Sequence, residues 1–107
     1  MRTAMAQKSD PKPLTGKQAR FLRGLGHDLE PLVLVGKEGV TEAVAAALEV
    51  NLVAHELVKV RIGQGCGEDR HEVAEQLAAS TRSRVAQVLG RTVLLYRPGE
   101  ERRIVLP

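Results

Sequence analysis

The stretch from Leu32 to Ala47 constrains this chain more than any other. Leu32-Val33-Leu34-Val35 is an uninterrupted apolar run between Pro31 and Gly36, and it predicts a short strand buried on both faces. Gly36-Lys37-Glu38-Gly39 follows, and after Val40 an alanine-rich segment predicts a largely buried helix from about Thr41 to Ala54. A strand that runs through a glycine loop into a helix N-terminus offers backbone N–H groups to an anion. Glycine also lets the main chain approach a phosphate where a Cβ would obstruct it. A phosphate-facing loop with Lys37 as its cation is the first functional expectation. A plain strand-to-helix turn has the same pattern, so the loop alone does not decide.

The flanking segments supply the remaining elements. Residues 1–13 carry charges and prolines with nothing to bury, and are expected to form a flexible tail. Thr15 and Gln18 make a capping box for a first helix, with Leu14 and Ala19 as its staple. Phe21, Leu22 and Leu25 fall on one side of that helix; Lys17, Arg20, Arg23 and His27 fall on the other. Gly26 and Pro31 mark its exit. Leu57–Ile62 alternates, with Val58, Val60 and Ile62 facing one way and Lys59 and Arg61 the other. Gly63–Gly67 reads as a mobile linker to Asp69-x-x-Glu72, a second capping pattern, and a helix burying Val73, Ala74, Leu77 and Ala78. Arg84–Leu89 and Thr92–Arg97 form strands joined by Gly90-Arg91, where glycine first suits a type II′ turn. Ile104–Leu106 is placed as a short edge strand. The order α-β-α-β-α-β-β predicts a two-layer α/β (α+β) domain over 14–107, a small four-stranded mixed sheet with helices mainly on one face.

Several classes of function find no support. Cys66 is the only cysteine, so no internal disulfide forms, and no His-x-x-x-His or Cys-x-x-Cys spacing suggests a metal. Cys66 with His71, or with His27 or His55, is a weak basis for nucleophilic catalysis. Gly63-x-Gly65-x-Gly67 puts Glu68 where a dinucleotide fingerprint needs its third glycine, and no Gly-Lys-Ser/Thr of a phosphate-binding P-loop occurs. No apolar run reaches the ~20 residues of a membrane span, and Met1–Pro13 lacks a signal-peptide core. A cytoplasmic protein without enzymatic activity, cofactor, metal or membrane partner is expected.

The cations make the stronger pattern. Net charge is +3, and Lys17, Arg20, Arg23, Lys37, Lys59, Arg61, Arg91 and Arg97 are spread over separate elements. Aromatics are 2% of the chain, Phe21 and Tyr96, with Tyr96 the one placed outside the core. Scarce stacking residues favour recognition of backbone and shape over a base-stacking platform.

Leu14-Thr-Gly-Lys-Gln, Leu22-Arg-Gly-Leu-Gly-His, Glu30-Pro, Val35-Gly-Lys-Glu-Gly, His55-Glu-Leu-Val-Lys-Val, Leu89-Gly-Arg-Thr-Val-Leu-Leu-Tyr-Arg and Ile104-Val-Leu-Pro together resemble the CRM domain, most closely its bacterial stand-alone YhbY type. The resemblance covers residues 14–107. It implies an RNA-binding domain linked to maturation of the large ribosomal subunit. It also implies a fold similar to the C-terminal domain of translation initiation factor three, with sheet order 1-2-4-3. The family's loop is likened to the RNA-clamping Gly-x-x-Gly of KH domains. Here Gly36, Lys37, Glu38 and Gly39 match it, although the loop joins strand to helix and Glu38 adds a negative charge. The expected partner is RNA, as ribosomal RNA or a large-subunit precursor. Lys17, Arg20, Arg23, Lys59 and Arg61 are the flanking contacts. A protein-interaction adapter docking on a ribosomal protein is the alternative.

Overall fold

The computed structural model describes residues 12–107, so the first eleven residues of the expected tail lie outside it. The elements are α1 (Gly16–Gly26), β1 (Pro31–Val35), α2 (Glu42–His55), β2 (Leu57–Ile62), α3 (Arg70–Thr81), β3 (Arg84–Leu89) and β4 (Thr92–Tyr96). The sheet order is β1-β2-β4-β3, as the resemblance implied. β1 and β2 are parallel because α2 carries the chain back between them, whereas β4 pairs antiparallel with both β2 and β3. β4 thereby fills the gap between β2 and β3, and Val93, Leu94, Leu95 and Tyr96 are all buried. No helix among the described residues is long and apolar enough to cross a membrane.

Strand alternation divides the interior in two. Val33, Val35, Val58, Val60, Ile62, Val93 and Leu95 face α2 and α3, meeting Leu48, Leu52, Val73 and Leu77. Leu57, Leu94 and Tyr96 face the other way and receive Leu22 of α1 together with Ala86. Two helices therefore lie on one face and the third on the other. Truncation of Leu22, fully buried, costs about 2–5 kcal/mol.

Local signals set most boundaries. Gln18 N donates to Thr15 Oγ1 and Thr15 N to Gln18 Oε1, both at 3.1 Å, which closes the capping box of α1. Asp69 Oδ2 accepts from the N–H groups of His71 and Glu72 at 2.9 and 3.1 Å to start α3. Gly90 has φ +56° while Arg91 does not share it, in keeping with a type II′ turn.

Packing corrects several expectations. β1 is an edge strand buried on one face only; Leu32 and Leu34 point to the α1 side, but α1 lies over β2, β3 and β4 and leaves them exposed. α2 is not largely buried, because only one of its sides meets the sheet and α3, and Val50 and Val53 face outward. In α1 the buried side runs through Leu22 and Gly26, so Phe21 is 39% exposed. Tyr96, by contrast, is 4% exposed: the two aromatics exchange the roles expected of them. Ile104–Leu106 forms no strand; Ile104 and Leu106 instead pack on the Leu22 cluster.

The end of the sheet where β2 starts and β4 stops is tied to this C-terminal segment. Glu56, the C-cap of α2, is 2% exposed and holds φ +66°. Its carboxylate accepts from Arg103 N and Ile104 N, each at 3.0 Å. Burial pushes this carboxyl up, but the N–H groups of Ile104, Arg103 and Gly99 and the Arg103 guanidinium outweigh it and hold the group below its ordinary value. A Cβ at Gly99 would come within 2.7 Å of Glu56 Oε2, so the carboxylate packs directly against this glycine. Arg97 donates to both oxygens of Glu49 at 2.8 Å and to Thr81 O at 2.7 Å. It is a structural clamp, not a presented cation.

Candidate nucleic-acid interface

The opposite end of the sheet is assembled from three connections. Because β1 and β2 are parallel and end in register at Val35 and Ile62, the loops after them emerge side by side. Gly63 N donates to Val35 O at 2.8 Å and keeps the two chains joined one residue further. The β3–β4 turn arrives at the same end, since Thr92 pairs with Arg61 and Ile62 N donates to Arg91 O at 2.7 Å.

Within the first loop, Gly39 N donates to Gly36 O at 3.0 Å, which closes a tight turn and leaves Lys37 and Glu38 exposed at its tip. Gly39 has φ +75° and needs glycine, whereas Gly36 has an ordinary φ and open space around it. Val40 then packs on the larger core cluster and anchors the exit. Thr41 Oγ1 accepts from Val44 N at 3.2 Å, so one of the helix-start N–H groups is already taken. Among the described residues, no hydrogen bond engages the N–H groups of Lys37 and Glu38.

The second loop is not the mobile linker expected. Cys66 N donates to Gly63 O at 3.1 Å, and Cys66 itself is 7% exposed in the larger core cluster. A side chain at Gly65 would lie 3.6 Å from Lys37 Cβ, so this loop packs along the stem of Lys37. Glu68 reaches Gly39, and its Oε1 accepts from Gln76 Nε2 at 3.1 Å. Arg91 secures the end from beneath, donating to Ile62 O at 3.2 Å and Gly63 O at 2.6 Å. Arg70 donates to Gly90 O at 3.2 Å. A polar cavity of about 290 Å³ lies between Cys66, Glu68, Asp69, Arg70, Gly90 and Arg91. Arg70 drew no attention in sequence because it opens a helix behind an acidic pair; only the fold brings it beside Arg91.

The remaining expected contacts sort by face. Lys59 and Arg61 lie on the α1 side of β2. Lys59 is half-buried and donates to His27 O at 3.4 Å, where a cation complements the C-terminus of α1. Arg61 is exposed and pairs in register with Leu34, two residues before Gly36. Lys17 and Arg20 are exposed on the outer side of α1, with Phe21 next to them, and Arg23 is half-buried. The fold thus gathers Gly36–Gly39 and Arg61 at one sheet end and sets Lys17 and Arg20 apart on the helix. A separate apolar groove of about 360 Å³ is lined by Leu25, Leu29, Leu32, Leu57, Ile104, Glu30, His55 and Lys59. No cluster of three or more metal-ligating side chains occurs among the described residues.

The chain is similar to a set of known proteins. The pattern of the CRS1 / YhbY (CRM) domain matches residues 14–97. A probable RNA-binding protein of Bacillus subtilis, YqeI, is 44% identical over 95 residues, covering 88% of this chain and 99% of its own. An RNA-binding protein of Haemophilus influenzae is 39% identical over 94 residues, covering 88% of this chain and 95% of its own. The solution structure of a hypothetical protein from Staphylococcus aureus, described as a candidate RNA binding protein, has a TM-score of 0.77 at 40% identity. It covers 88% of this chain and 99% of that one. The match spans α1 to the end of β4 and the fold recurs in a relative, so the chain belongs to the CRS1 / YhbY (CRM) domain family.

Proposed function

We propose that this chain is a non-enzymatic RNA-binding protein that acts on ribosomal RNA in precursors of the large ribosomal subunit, as an assembly factor. The observation that carries the reading is the exposed Gly36–Gly39 turn, which presents Lys37 and two unengaged N–H groups together. Phosphate oxygens take these donors, Arg61 extends the contact along the sheet, and Lys17 and Arg20 hold a neighbouring stretch of backbone. Relatives that bear the name RNA-binding protein support the partner class. If about five phosphates are neutralised, log K falls with log salt at a slope near −3.5 on the single-strand scale of ~0.7 per contact.

The deciding experiment is Lys37→Asp, with melting temperature and RNA affinity measured on one preparation at fixed salt. Both glycines stay in place, and an anion two residues from Gly39 suits the start of α2, so folding is retained. RNA affinity drops at least ~10-fold, about 1.4 kcal/mol. Unchanged affinity in a normally folded variant refutes the loop as the site. A second reading, a protein adapter, draws on Leu32 and Leu34, exposed on an edge strand. Co-sedimentation with ribosomal particles that survives RNase favours that reading over RNA contact.

A further inference from the structure

Gly39 is buried although it sits in a surface loop, and the group that lies on it is the carboxylate of Glu68. A Cβ built at Gly39 would collide with Glu68 Oε2, so the acid occupies the space that the missing side chain leaves open. Glu68 is otherwise an exposed residue of the second glycine loop, and Gln76 of α3 steadies its other oxygen at 3.1 Å. Its carboxylate thus lies against the exit of the first glycine loop, just before the chain enters α2. With Glu38 at the tip and Glu68 on Gly39, the loop has two carboxylates at it and one cation, Lys37.

We propose that Glu68 is an internal competitor for the anion that the Gly36–Gly39 loop binds. The inference rests on the reading of that loop as the RNA-phosphate site. In the free protein the Glu68 carboxylate rests on Gly39, beside the loop's exposed donors. A phosphate drawn in by Lys37 meets that negative charge and displaces the side chain, which swings outward with the loss of one exposed hydrogen bond to Gln76. Glu68 thereby lowers the loop's affinity for any isolated anion. Tight binding then requires the additional cations of Arg61, Lys17 and Arg20, so an extended polyanion is preferred over a single phosphate group.

The test uses the full chain and a mixed-sequence single-stranded oligoribonucleotide at fixed salt, with four proteins compared: parent, Glu68→Gln, Glu75→Gln and Lys37→Asp. Glu68→Gln keeps the shape and the contact with Gln76 but removes the charge, and is expected to bind about three- to five-fold tighter, the scale of one exposed charge pair. Glu75→Gln makes the same change in net charge on exposed α3 and is expected to match the parent, which separates a local effect from overall charge. Equal tightening in both glutamine variants, or none in Glu68→Gln, overturns the proposal while a weakened Lys37→Asp leaves the loop as the site. Normal binding by Lys37→Asp removes the site and the competitor with it. Melting temperatures confirm that each variant is folded.

Discussion

The two ends of the sheet are built from similar residues on opposite plans. At the end where β2 starts, two charged groups tie the fold together: Glu56 holds the main chain of Arg103 and Ile104, and Arg97 holds Glu49 and Thr81. At the other end, Arg91 and Arg70 donate to main-chain carbonyls, while Lys37, Glu38 and Arg61 face solvent around two glycine turns. One end uses charged groups to close the fold, and the other leaves Lys37, Glu38 and Arg61 exposed. Charge counted along the chain does not distinguish the two. What distinguishes them is whether a backbone carbonyl or carboxylate lies within reach of each cation.

The sharpest way to break this contrast is at Glu56. Glu56→Ala orphans two N–H groups and frees the C-terminal segment, and should cost about 3 kcal/mol in denaturant unfolding. RNA affinity of the folded fraction should not change. A matching loss of affinity would show that the two ends are coupled.

Acid probes the same group more gently. The Glu56 carboxyl lies below its ordinary 4.5 in the folded protein. Its contribution is therefore complete above about pH 4.5 and is lost as pH falls through the lower folded value. Melting temperature followed from pH 6 to pH 3 should fall in this window for the parent. Glu56→Gln should be less stable near pH 6, with the difference narrowing towards pH 3 and so a shallower acid slope; parallel curves would mean that other carboxylates dominate.

On the presenting side, Lys17→Ala with Arg20→Ala should weaken RNA binding by about three- to ten-fold, as two exposed phosphate contacts would. Stability should stay within ~0.5 kcal/mol because both side chains are exposed. Unaltered binding would confine the interface to the loop end. The smallest effect is expected for Phe21→Ala, about 1 kcal/mol of stability, because the ring is 39% exposed. A loss as large as that of Leu22→Ala would place the ring in the core after all.

Much of the fold was legible from local chemistry. The capping pairs Thr15/Gln18 and Asp69/Glu72 located two helix starts, and the alternation of Val58, Val60 and Ile62 against Lys59 and Arg61 was observed as read. Gly90 marked the hairpin turn. The Gly36–Gly39 loop stood out because glycine spacing is a local property. These features depend on contacts within a few residues, and local sequence carries them.

What the sequence by itself determined, then, is the order of the elements, their caps and turns, and which faces of β2 are apolar. Tertiary structure decided everything that depends on coverage. Phe21, Leu22 and Leu25 share an arc of α1, but the helix's rotation over Leu94 and Tyr96 buries Leu22 and leaves Phe21 out. The run Leu32–Val35 reads as fully buried, yet its place at the sheet edge, beyond the reach of α1, exposes Leu32 and Leu34. Gly63–Gly67 looks mobile until Cys66 docks in the core and Gly65 meets Lys37. Burial is a relation between distant segments, and periodicity shows which residues could be covered without showing what covers them.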